Sequence, residues 1–100
     1  MKYFLIKYSF KNGTREAWHE QLREFITRLD ADADLRGEIS YRCMREQDGA
    51  GYYHLAAVSD PQAVQALQSK DFFKRYTEET KRVGGGVVDV VPLELIAETS

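Results

Sequence analysis

Residues 38–58 read Glu38-Ile39-Ser40-Tyr41-Arg42-Cys43-Met44-Arg45, then Glu46-Gln47-Asp48-Gly49-Ala50-Gly51, then Tyr52-Tyr53-His54-Leu55-Ala56-Ala57-Val58. Two runs rich in aromatic and aliphatic residues flank a glycine-rich turn that is longer than two residues, which is the pattern of a β-hairpin. Side chains alternate sides along a strand. Ile39, Tyr41 and Cys43 therefore share one face, and Glu38, Ser40, Arg42 and Met44 the other. In the second arm Tyr52, His54, Ala56 and Val58 oppose Tyr53, Leu55 and Ala57. The hairpin sits at the middle of a 100-residue chain, so the segments on either side of it decide the fold.

Upstream, Lys2 to Phe10 reads as a strand, with Phe4, Ile6, Tyr8 and Phe10 on one face and Tyr3, Leu5, Lys7 and Ser9 on the other. The second face begins apolar and ends polar, so both faces are expected to be at least partly covered. Asn12-Gly13 marks a turn, and Thr14 is a helix N-cap with Ala17 at the position where a capping box would carry Glu. Trp18, Leu22, Phe25, Ile26 and Leu29 form one helical stripe, opposite Arg15, His19, Arg23 and Thr27. The Asp-Ala alternation from Asp30 to Asp34 suits a fraying helix end and a solvated loop. Downstream, Asp60-Pro61 pairs an N-cap with proline at the first helical position. Val64 and Leu67 start the buried face, Ser69 is read as a second cap that restarts or kinks the helix, and Phe72, Phe73, Tyr76 and Val83 continue it. Gly84-Gly85-Gly86 ends the helix. Val87 to Val91 reads as a buried strand. Pro92 belongs at an edge or a break, and Leu93 to Ile96 as a separate short strand. The order β-α-β-β-α-β predicts an α+β, ferredoxin-like domain with a four-stranded antiparallel sheet. One domain is expected over 1–100, with 92–100 a C-terminal extension. Helices on one side of such a sheet leave the other side to be covered by something else.

The composition, 43% hydrophobic and 30% charged with a net charge of −2, is that of an ordinary globular domain. No basic stripe is present, which argues against nucleic acid or an anionic membrane as partner. The single cysteine, Cys43, cannot close an internal disulfide and fits a reducing compartment. Met1-Lys2 runs straight into a strand pattern without the parts of a signal peptide, and no apolar run approaches the ~20 residues that span a bilayer. A cytoplasmic protein is expected.

Few residues carry an evident chemistry. His54 sits mid-strand among apolar neighbours, and histidine is the side chain best suited to exchange a proton near neutral pH; its alternative role is a core histidine satisfied by hydrogen bonds. Tyr41, Tyr52 and Tyr53 are candidates to line an aromatic pocket near it, where their hydroxyls would orient a phenol or quinone. Trp18 lies on the apolar stripe, as core or as ligand platform. Arg42 and Lys7 read as cross-sheet ion-pair partners, and Cys43 as a small buried hydrophobe. Two histidines and one cysteine, widely spaced, make no metal-ligand pattern. The triple glycine lacks both the P-loop ending and GxGxxG spacing. No Ser-His-Asp arrangement is recognisable.

With these elements placed, the chain resembles the dimeric α+β barrel superfamily, and within it the antibiotic biosynthesis monooxygenase-like branch. Three places carry the resemblance over Lys2 to about Val91. They are the aromatic first strand ending in Lys11-Asn12-Gly13-Thr14, the passage Tyr53-His54-Leu55-Ala56-Ala57-Val58-Ser59-Asp60-Pro61-Gln62-Ala63, and Leu67-Gln68-Ser69-Lys70-Asp71-Phe72-Phe73-Lys74-Arg75-Tyr76, similar to the family's kinked second helix. The resemblance implies a homodimer in which two sheets pack face to face, with Leu93 to Ile96 gripping the partner. It also implies a pocket between sheet and helices in each subunit. Some members oxidise polycyclic phenols or quinols with O2 and without metal or flavin, so a small planar aromatic substrate and no cofactor are implied. By residue type His54 and Tyr41 would then be catalytic, with Trp18, Tyr52, Tyr53, Phe73 and Tyr76 binding substrate. Haem-degrading members carry Asn, Trp and His where Ile6, Ala66 and Thr77 or Glu79 stand here, so that activity is not implied. A non-enzymatic ligand-binding or structural homodimer, and an isomerase or lyase on the same scaffold, are the alternatives.

Overall fold

The sequence periodicities resolve into seven elements in the computed structural model, which describes residues 1–100. They are β1 (Lys2–Ser9), α1 (Arg15–Ala31), β2 (Ile39–Arg45), β3 (Gly51–Val58), α2 (Pro61–Ser69), α3 (Asp71–Val83) and β4 (Asp89–Leu93). The sheet order is β2-β3-β1-β4 and every neighbouring pair is antiparallel. This is the predicted ferredoxin-like α+β architecture, built from two interleaved β-α-β units. The two strands rich in aromatic and apolar residues, β1 and β3, occupy the centre. The register sets Cys43, His54, Ile6 and Val90 in one row across the helix side of the sheet, and Tyr41, Ala56, Phe4 and Pro92 in the next.

Thr14 caps α1, its hydroxyl accepting from Ala17 N at 3.2 Å. The helix buries Trp18, Leu22, Phe25 and Leu29 on the sheet. Full burial of such side chains contributes about 1.5–3 kcal/mol each, against ~1 kcal/mol for a cap, so the stripe rather than the incomplete capping box holds α1. Leu35, in the turn after α1, is buried to 1% exposure and belongs to the same core. The second helical region is divided, but not by Ser69, whose hydroxyl donates back to Ala66 O at 2.7 Å inside α2. The break is at Lys70, which is extended and gives α3 no side-chain cap. Lys70 Nζ instead reaches Asp34 at 2.7 Å and Asp32 at 3.3 Å, tying the break to the acidic turn after α1.

Gly85 and Gly86 have φ of +68° and +89°, the left-handed conformation that stops α3, and Gly86 N donates to Lys81 O. β4 starts at Asp89 rather than Val87 and continues through Pro92. As an edge strand it can hold proline, because the missing donor faces no partner strand. The separate strand expected over Leu93–Ile96 does not form: Leu93 ends β4, and 94–100 carry no regular element.

All three helices lie on one side of the sheet. The other side bears half-buried Tyr3, Leu5, Leu55, Ala57 and Val91, with exposed Met44 and Leu93. The chain exposes 6771 Å² at 11.5 kDa, where a folded monomer of that mass exposes about 5,800 Å². The extended tail contributes part of this excess and the open sheet face another part. No helix is long and apolar enough to cross a membrane.

Candidate functional site

Strand alternation turns His54 toward the helices, where it is wholly buried at 0% exposure. Three tyrosines from three elements meet it there. Tyr8 of β1 brings its hydroxyl to 2.8 Å from Nε2. Tyr41 of β2 and Tyr76 of α3 bring theirs to 2.9 and 2.8 Å from Nδ1, and these two oxygens are 2.9 Å apart. Trp18 of α1 donates its indole N–H to the Tyr8 oxygen at 2.9 Å. The rings of the cluster also stack on one another. Phe25 stacks on Tyr76 at 3.7 Å between centroids, Trp18 lies parallel to Tyr76 at 6.0 Å, and Tyr8 stacks on Tyr52 at 5.4 Å. Each buried polar side-chain atom of the chain has a hydrogen-bond partner.

Burial fixes the charge state of this cluster. Desolvation lowers the His54 pKa to about 4 and raises those of Tyr8, Tyr41 and Tyr76 well above the usual tyrosine range. Cys43, opposite His54 on β2, is pushed up to about 11 by the same cause. The cluster at neutral pH is uncharged, rich in protons and able to donate hydrogen bonds.

A cavity of about 470 Å³ opens between the helix side of the sheet and α2–α3, within the range of about 300–1,000 Å³ usual for small-molecule sites. Phe4, Ile6, Ala56, Val58, Val88 and Val90 form its sheet wall, and Val64, Leu67, Phe73, Tyr76 and Thr80 its helix wall. Tyr41 and Tyr76 bring the buried cluster to the cavity; Gln68, Thr77, Glu78 and Lys81 are its other polar lining residues.

Of the residues singled out in the sequence, Tyr41, Phe73 and Tyr76 line this cavity. His54 stands behind the two hydroxyls, and Trp18, 1% exposed, is two further bonds back through Tyr8. Tyr52 is buried against Tyr8 and does not line the cavity; its hydroxyl accepts from Arg15 at 3.0 Å and lies 2.7 Å from His19 Nε2. Arg15 and His19, read as the polar side of α1, are thereby drawn into the packing at the hairpin end. Tyr53 lies on the opposite side of the sheet from His54, its hydroxyl donating to Glu46 at 3.1 Å, because adjacent strand residues face opposite ways. Tyr8 was not anticipated in the site. Its only signal in the sequence is that it shares the apolar face of the first strand, two residues beyond Ile6. Arg42 and Lys7 make no ion pair within the chain. No group of three His, Cys, Asp or Glu side chains comes together to hold a metal ion.

No protein-family model and no curated protein matches the chain by sequence. Solved structures match it closely in shape. Rv0793 from Mycobacterium tuberculosis superposes with a TM-score of 0.77 at 17% identity, over 99% of this chain and 98% of that one. A mutant of SnoaB, a cofactor-independent oxygenase from Streptomyces nogalater, gives 0.77 at 10% identity, over 97% and 94%. A protein provisionally named an antibiotic biosynthesis monooxygenase, from Caulobacter crescentus, gives 0.78 at 11% identity, over 96% and 90%. At these identities the likeness establishes the backbone plan and not the side-chain chemistry. The chain has the ferredoxin-like α+β fold of the antibiotic biosynthesis monooxygenase-like proteins.

Proposed function

We propose that this chain is a cofactor-independent monooxygenase acting on a planar phenolic or quinol-type molecule bound in the Tyr41–Tyr76 cavity. The observation that carries the reading is the pairing of a largely apolar cavity of about 470 Å³ with two tyrosine hydroxyls on its wall. Apolar walls suit the faces of fused aromatic rings, and the hydroxyls suit a ring oxygen. The likeness in shape to a cofactor-independent oxygenase supports the same reading. In the overall reaction, a ring carbon bearing two hydrogens, or a ring C–H opposite a phenol, becomes a carbonyl. One atom of O2 enters the product and the other leaves as water, and the substrate supplies all four electrons. The protein's part is to hold the electron-rich ring in a dry site with its oxygen tied to Tyr41 or Tyr76.

The working unit in this proposal is a homodimer formed through the open sheet face. A standard interface takes ~800 Å² from each partner.

The test is oxygen uptake with a panel of polycyclic phenols and quinols, in wild type and in the double variant Tyr41→Phe/Tyr76→Phe, which removes both hydroxyls from the cavity wall. Uptake with one oxygen atom from 18O2 in the product, clearly reduced in the double variant, supports the reading. Binding without uptake would leave a ligand-binding protein. Uptake untouched by the double variant would place the chemistry outside this cavity.

A further inference from the structure

The protons of the buried cluster can be counted from its heavy atoms. The indole N–H of Trp18 can only donate, so the Tyr8 oxygen is the acceptor of that bond. Tyr8 has one other polar neighbour, Nε2 of His54. If Nε2 carried the ring proton, it would donate to the same oxygen, and the Tyr8 hydroxyl hydrogen would be buried with no acceptor, at a cost of about 1–3 kcal/mol. The satisfied arrangement has Tyr8 donating to Nε2. Neutral His54 then carries its proton on Nδ1.

That proton points at the Tyr41 and Tyr76 oxygens, 2.9 and 2.8 Å away. A protonated Nδ1 accepts nothing, so neither tyrosine donates to it. One hydroxyl donates to the other across their 2.9 Å contact. The remaining hydroxyl hydrogen has no oxygen or nitrogen acceptor in the cluster, only the weakly accepting sulfur of Cys43 beside Tyr76, and both tyrosines line the cavity. The donors run in one sense, from Trp18 through Tyr8 and His54 to the tyrosine pair and out into the cavity. Successive bonds in such a chain polarise one another and strengthen the last donor.

We propose that Tyr8, held and polarised by the Trp18 indole N–H from outside the cavity, fixes His54 as its Nδ1–H tautomer, so that Tyr41 and Tyr76 together present one spare hydrogen-bond donor to the ligand. The ligand class is an aromatic whose oxygen accepts: a quinone carbonyl or an ionised phenol, in preference to a neutral phenol. This deepens the function proposed above and rests on it for the location of the ligand. His54, Tyr8 and Trp18 are positioning residues. A phenol's proton goes to bulk water as the ligand binds, and His54 takes no proton from it.

The experiment has two arms on the full chain. In the first, proton–nitrogen correlation spectra of histidine-labelled protein at pH 7 report the His54 tautomer without any ligand. Nδ1–H is expected in the wild type and also in Trp18→Phe, where Tyr8 still has only Nε2 to donate to, whereas Tyr8→Phe should lose this single form. Nε2–H in the wild type overturns the inference, whatever binds. In the second, 4-nitro-1-naphthol, whose colour reports its ionisation, is titrated with pH in the bound state. The bound probe is expected to be at least about tenfold more acidic than the free one, with the gain lost in Tyr8→Phe. A probe bound as the neutral phenol overturns the inference while leaving the pocket standing. A probe that does not bind counts against the proposed function, and the tautomer then decides the relay alone.

Discussion

Removing the Tyr8 hydroxyl strands two buried groups at once, the Trp18 indole N–H and His54 Nε2. Tyr8→Phe is therefore expected to cost roughly 2–4 kcal/mol of folding stability in urea denaturation. Tyr41→Phe should cost about 1 kcal/mol or less, because Tyr76 still accepts the Nδ1 proton. Equal losses in the two variants would contradict this hydrogen-bond network. His54 also gives the fold a pH dependence. Its folded pKa, about 4, lies below the ordinary 6.5, so the unfolded chain binds its proton first. The contribution is complete above pH 6.5 and is lost as pH falls toward 4, by roughly 3 kcal/mol in all. Wild type should lose more stability than His54→Gln across that interval, and parallel curves would sink the claim. In the sequence, His54 was legible as a mid-strand histidine on an apolar face. Among its partners Tyr41 was named near it and Tyr76 as a site residue, but Tyr8 was not, and that the three meet on His54 was not legible, because they come together only through the strand order β2-β3-β1 and the seating of α3, neither of which local pattern encodes.

Strands and helices were more legible than their ends. The stripes of Trp18, Leu22, Phe25 and Leu29 and of Val64 and Leu67, the caps Thr14 and Asp60, and the glycine stop all mark elements that form. The break between α2 and α3 fell one residue beyond the one expected. A serine late in a helix can cap the next turn or bond its own preceding carbonyl, and Ser69 does the second. The deciding interaction, Lys70 with Asp32 and Asp34, is long-range and invisible to local spacing. At the far end of α3, Gly86 has φ +89° and open space where a Cβ would go. Gly86→Ala should therefore cost about 1 kcal/mol or more of stability through backbone strain alone, seen as a lower melting temperature, without altering ligand binding. An unchanged melting temperature would mean that this turn relaxes.

For the whole molecule, the side of the sheet without helices is the remaining apolar surface. In the proposed homodimer a second copy of the chain covers it. Sedimentation at micromolar concentration should give twice the mass of 11.5 kDa, and Leu5→Asp with Leu55→Lys should give the monomer. Neither residue lines the cavity, so the monomer should keep its circular dichroism. A wild type that sediments as one chain would contradict the dimer.

The most direct measurement is a calorimetric titration of wild type and Val64→Phe with 4-nitro-1-naphthol and a panel of polycyclic quinols and quinones. Val64 lines the cavity, and the larger ring would fill it. Saturable wild-type binding at about 10 μM or tighter, roughly −7 kcal/mol, abolished in Val64→Phe, is the expected result. Binding of equal strength in both proteins, or no binding across the panel, would contradict the claim that the Tyr41–Tyr76 cavity is the working site.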